Sequence, residues 1–149
     1  MMKTILEQPT RDELVSRINQ LQENSTAKWG QMNVRQMMRH CILWEEMALG
    51  QKKYPRVFLG RILGRFILKA VLKDDAPMRR NSPTIAPMKI NTSVGDDVAS
   101  QKKKWIALLE EHRPGMPDIV HPIFGKMTAA EVGLLLYKHT DHHLRQFNV

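Results

Sequence analysis

Six histidines, His40, His112, His121, His139, His142 and His143, offer the most direct route to chemistry, and three of them fall in the phrase His139-Thr140-Asp141-His142-His143. Residues four apart on an α-helix differ by about 40° in direction and one turn in height, so His139 and His143 can ligate one ion. His142 is rotated away from them. The same stripe carries Val132, Leu135 and Leu136, which turns the pair toward a core. His40 has the same character, because Met37 precedes it by three residues and Trp44 follows it by four. A buried neutral imidazole needs a partner for each ring nitrogen, and three converging imidazoles meet that need by sharing a divalent cation. Three histidine ligands also leave positions open for water, as catalytic metal sites require. Zinc, nickel and ferrous iron suit imidazole about equally, so the metal is not selected. His121, before Pro122 in an expected loop, is a candidate for lining the site. Arg145 and Gln146 could orient an anionic substrate or a water there. His112 and His142 are expected in solvent. Cys41 lies about 100° around the helix from His40, which disfavours a Cys–His catalytic pair and leaves it a small core residue.

These residues need helices to position them. Thr10-Arg11-Asp12-Glu13 after Pro9 reads as a capping box, with Leu14, Ile18 and Leu21 following at helical spacing. Asn33-Val34-Arg35-Gln36 opens a second helix that carries His40 and stops at Gly50. A third is expected from about Ser93 to His112, with Asp96 and Asp97 in its first turns and Pro114 beyond its end. Thr128-Ala129-Ala130-Glu131 caps the fourth, which carries His139 and His143 to Phe147. Period-2 alternation is hard to find, so no sheet is expected. The pattern predicts an all-α protein, a four-helix bundle with a site built from side chains that project into its core. The long crossover between helices 2 and 3 is partly helical: over Phe58 to Lys73, Arg61, Arg65, Lys69 and Lys73 recur every four residues beside a stripe of Phe58, Ile62, Phe66 and Ala70. Three prolines from Pro77 to Pro87 then predict an extended loop.

Composition narrows the classes further. A chain of 149 residues fits a single domain over 1–149, and 42% hydrophobic with 26% charged residues is ordinary for a folded globular protein. One cysteine excludes an intrachain disulfide and any four-thiolate metal site, and points to a reducing compartment. No apolar run of about 18 residues occurs and the N-terminus lacks a signal-peptide pattern, so a cytoplasmic protein without a transmembrane segment is expected. The 23 Lys and Arg against 15 Asp and Glu give a net charge of +8. Residues 51–90 hold ten basic and two acidic residues, so the excess sits in the crossover and the remainder is balanced.

Four helices, a core histidine on the second and HTDHHLRQ on the last together resemble the DinB/YfiT superfamily of metal-dependent bundles, in particular a bacterial branch. The likeness includes WGQMNVRQMMRHC around His40, HPIFGKMT before the last helix and the ending YKHTDHHLRQF. It implies a divalent metal held by His40, His139 and His143 with water in the remaining positions, and His142 as a neighbour. It also implies an enzyme of the thiol-dependent transferase or hydrolase type, acting on a small-molecule substrate with a low-molecular-weight thiol, and a homodimer. The alternative is a non-enzymatic binding or oligomerisation module, in which Arg61, Arg65, Lys69 and Lys73 bind an anionic partner. Nucleic acid is disfavoured by the lack of a helix-turn-helix pattern, stacking platform or RNA-binding signature. In the oligomer reading Phe58, Ile62 and Phe66 are buried against protein and the basic stripe stays in water.

Overall fold

Helix starts are set by side chains that satisfy free backbone amides. In the computed structural model, which describes residues 1–149, Asn33 Oδ1 accepts from the Gln36 amide at 2.9 Å and Gln36 Oε1 accepts from the Asn33 amide at 2.9 Å. This reciprocal cap opens the helix Val34–Ala48 (α2). Thr128 and Glu131 make the same arrangement before Ala129–Gln146 (α5). Asp97 accepts from the Ser100 amide at 2.7 Å and opens Val98–Leu109 (α4). Asp97 is thus the cap itself and not part of a first turn, so α4 is shorter at both ends than the expected Ser93–His112. The first helix, Gln8–Ile18 (α1), starts earlier than Thr10, with Pro9 in its first turn, where a missing N–H leaves no bond unmade. Thr10 is therefore a buried residue inside the helix and not its cap.

The crossover carries the helix Phe58–Val71 (α3) and, within the proline-containing loop, a short 3-10 turn at Ala86–Met88. One element is unforeseen. Ile119–His121 (β1) and Gly125–Met127 (β2) form an antiparallel hairpin with Val120 opposite Lys126 and His121 opposite Gly125. Contrary to the expectation of no sheet, the hairpin forms from three-residue strands, which are too short to show alternation. The protein is mostly helical, with five α-helices and this small sheet.

The core is a contiguous cluster of buried residues that includes Leu14, Ile18, Met37, Met38, Trp105, Leu109 and Leu144. α2 packs along α4 and also meets α5, while α1 packs on α4 and α5. α3 lies outside this arrangement. Its buried residues are Gly60, Gly64 and Leu68, and a side chain at either glycine would collide with the Ile123 carbonyl. The stripe of Phe58, Ile62 and Phe66 faces away from the rest of the chain and is exposed. The protein's own helices therefore do not cover it. α3 is held by Leu68, which is buried in the core cluster, and by polar contacts: Arg65 Nη2 lies 2.9 Å from Glu131 Oε1, and Lys138 Nζ donates to the Val71 and Asp74 carbonyls at 2.7 Å. A lysine at these last carbonyls also suits the negative end of the helix dipole.

Candidate metal centre

α2 and α5 meet where both are lined by histidine. His40 from α2 and His139 and His143 from α5 are all buried, and their nearest ring nitrogens lie within 4.8 Å of one another. His40 Nε2 is 3.1 Å from His139 Nε2. Two imidazole nitrogens bound at 2.0–2.1 Å to one ion in tetrahedral or octahedral geometry stand about 2.9–3.4 Å apart, which matches this spacing.

Groups behind the rings fix which nitrogen carries the proton. His40 Nδ1 lies 2.8 Å from the Met88 carbonyl, an obligate acceptor, so Nδ1 donates and the Nε2 lone pair is free. Gln146 Nε2 donates to the Trp29 carbonyl at 2.8 Å, which turns Gln146 Oε1 toward His143 Nδ1 at 2.8 Å. His143 therefore also donates from Nδ1 and keeps its Nε2 lone pair. Gly30 makes room for this relay: it has φ +81°, and a Cβ there would come within 2.7 Å of Gln146 Nε2. Burial pushes all three histidines toward the neutral form. It holds His143 down to about 3 and His139 well below its ordinary value, with the neighbouring histidines adding to the effect. It lowers His40 too, opposed in part by the hydrogen bond to Met88. All three are neutral at pH 7, the form that ligates a metal.

A model of the family described as "Protein of unknown function (DUF1569)" matches residues 2–149. The chain belongs to the DUF1569 family. No curated protein and no solved structure matches it. That description names no reaction, so the role of these DUF1569 histidines has to be argued from their surroundings.

Aromatic rings and the crossover loop enclose the three histidines. Trp44 stacks on His139 with ring centroids 4.3 Å apart, and Trp29 meets His142 edge-on at 5.6 Å. The Arg80 guanidinium lies 4.1 Å from the centre of the Trp29 ring. Met88, which holds His40, and Arg80 both belong to the proline-containing part of the crossover. Neither was singled out by its sequence context, and a backbone carbonyl has no sequence signature at all.

The other candidates fall in different places. Gln146 is buried and touches His143 directly. Arg145 is half exposed and pairs with Asp141 at 2.7 Å, an acid that also binds Arg17 at 2.8 Å. His121 ends β1, is buried, and lies across Trp44 from His139. Its Nδ1 accepts from the amides of Ile123 and Phe124 at 3.0 and 3.2 Å, so the proton sits on Nε2, which has no partner. With Trp44, Met127, Leu135 and Leu136 it lines a cavity of about 10 Å³, near the lower limit for one water. His142 is buried against Trp29 and not solvated. His112 is not solvated either: its Nε2 lies 2.7 Å from Glu45 Oε2, with both side chains 1% exposed. Cys41 is a buried core residue, and burial raises its thiol pKa well above the ordinary value, which keeps it an unreactive thiol at pH 7. Arg61, Arg65 and Lys69 are exposed along α3, where Arg65 also pairs with Glu131, and Lys73 is exposed just past the helix, which ends at Val71 and not at Lys73 as expected.

Proposed function

We propose that this DUF1569 protein binds one divalent cation through His40, His139 and His143 and acts as a metal-dependent enzyme of the transferase or hydrolase type. The observation that carries the reading is the convergence of three buried, neutral imidazoles, two of which have their Nε2 lone pairs fixed by donation from Nδ1. The donor set fits the ion, because His40 and His143 present Nε2 lone pairs and the 3.1 Å between His40 Nε2 and His139 Nε2 is the separation of two nitrogens on one ion. Bound there, a zinc, nickel or ferrous ion supplies a Lewis acid that lowers the pKa of a water or thiol and polarises the group attacked.

The chain's own residues do the rest. Met88 and Gln146 orient the ligands, Trp44 excludes water from the His139 side, and Arg80 brings a positive charge near His142. The packing of α1, α2, α4 and α5 supports a single DinB-like four-helix bundle, and a low-molecular-weight thiol as cosubstrate rests on that resemblance alone. A single buried cysteine supports a reducing, cytoplasmic setting. Elemental analysis of protein purified without a histidine tag tests the reading. It should give about one metal per chain, or take one up on addition of zinc, nickel or ferrous iron, and lose it in His40→Ala. Substoichiometric metal with no uptake of any of the three overturns it.

The non-enzymatic alternative, a module whose basic crossover contacts an anionic partner, has its own support in the exposure of α3. Contact between the crossover and an anionic partner is compatible with a metal at the histidines, whereas the absence of any reaction is what separates the two readings.

A further inference from the structure

A surface helix ordinarily buries its large apolar side chains and turns its small and polar ones outward. α3 is built the other way round. Its inward face is Gly60 and Gly64, seated directly on the Ile123 backbone, with Leu68 buried beside them. Its outward face presents Phe58 and Phe66, 78% and 73% exposed, with Leu59, Ile62, Leu63 and Ile67 around them. At the two glycines the helix backbone approaches so closely that no side chain fits between, and Leu68 is the one large side chain of α3 turned fully inward. Such a contiguous outward apolar patch on one helix is unusual for a protein that works without a partner.

The charge around that face selects the occupant. Residues 51–73 contain seven Lys or Arg and no Asp or Glu. Arg61 and Arg65 flank the apolar face on one side, Lys69 lies in the last turn of the helix and Lys73 just beyond its end. A second copy of the chain is a poor fit. Pairing two such faces antiparallel about a two-fold axis sets the Arg61 flank beside the same flank of the other copy, and while Glu131 pairs with Arg65, no acid pairs with Arg61. Large apolar residues outward, basic residues at the margins and about 21 Å of helix are what an in-plane interfacial helix requires. No helix of the chain is long and apolar enough to cross a membrane, so contact would be at the surface.

We infer that α3 docks the protein on an anionic lipid bilayer, with Phe58, Ile62 and Phe66 entering the headgroup boundary and Arg61, Lys69 and Lys73 meeting lipid phosphates. The inference stands independently of the histidine site. It is tested by sedimenting the whole protein with sucrose-loaded vesicles of phosphatidylcholine, alone or with about 30% phosphatidylglycerol, over a range of salt. The wild type should partition onto the anionic vesicles, release as salt rises, and bind the neutral vesicles far less. Phe58→Ser with Phe66→Ser, and separately Lys69→Glu with Lys73→Glu, should each lower anionic partitioning about tenfold or more. These side chains are exposed, so an unchanged thermal transition should show that both variants fold. No partitioning of the wild type overturns the inference, as does equal partitioning of the phenylalanine variant or equal binding to neutral vesicles. A dimer that Phe66→Asp dissociates, in a protein that ignores vesicles, also overturns it and gives the face to a second copy.

Discussion

His121 gives the sharpest handle on how the buried histidines shape stability. Burial, assisted by Arg56, holds it down to about 3 from an ordinary value of 6.5. The structural reason is plain: a proton on Nδ1 would have to displace the amides of Ile123 and Phe124. Above pH 6.5 the ring is neutral in both folded and unfolded chains and its titration costs nothing. Below 6.5 the unfolded chain takes up a proton that the folded one refuses, so stability falls as pH drops toward 3. At about 1.4 kcal/mol per pH unit, moving from pH 7 to pH 5 costs about 2 kcal/mol through His121 alone. His143, also held to about 3 by burial, adds a similar loss, and His40 and His139 act in the same direction. Urea unfolding of the chelator-treated protein at the two pH values measures the total. His121→Asn isolates one part, because an asparagine oxygen can still accept the two amides but does not titrate. The variant should lose about 2 kcal/mol less than the wild type between pH 7 and pH 5. The same pH dependence in both proteins would refute the claim that His121 is buried neutral.

Gln146→Leu should keep the fold but weaken zinc binding about 10- to 100-fold in a competition titration, since His143 loses the group that fixes its proton. Gly64→Ala gains about 1 kcal/mol of helix propensity but places a methyl against the fixed Ile123 carbonyl, an overpacking cost of about 1–3 kcal/mol. Urea unfolding should therefore show a net loss, or limited proteolysis a detached α3. His112→Ala should destabilise by about 1–3 kcal/mol by leaving a buried Glu45 oxygen without its hydrogen-bond partner, whereas Glu45→Gln, which can still hydrogen-bond, should cost less in the same unfolding assay.

The helices that hold the site were legible because their caps are written in side chains. Asn33 with Gln36 and Thr128 with Glu131 both form the reciprocal bonds their spacing implies. The inward direction of His40, His139 and His143 followed from helical periodicity, and the three are indeed brought together. What periodicity could not show is pairing at a distance. His112 looked solvated because its partner, Glu45, lies 67 positions away. The hairpin was hidden because its strands are three residues long and its signal lies in Gly125, with φ +78°. α3 was recognised as basic and amphipathic, but which way it faces depends on Gly60 and Gly64, whose meaning comes only from the Ile123 backbone opposite.

The bond from His40 to the Met88 carbonyl has an evolutionary consequence. Because the acceptor is a peptide group, substitution at position 88 changes only core packing and leaves the acceptor in place. The bond is lost only when the chain is displaced, so insertions or deletions between α3 and residue 88 should alter metal affinity where point substitutions there do not. For this chain the heritable variable that tunes His40 is the length of the segment between α3 and Met88.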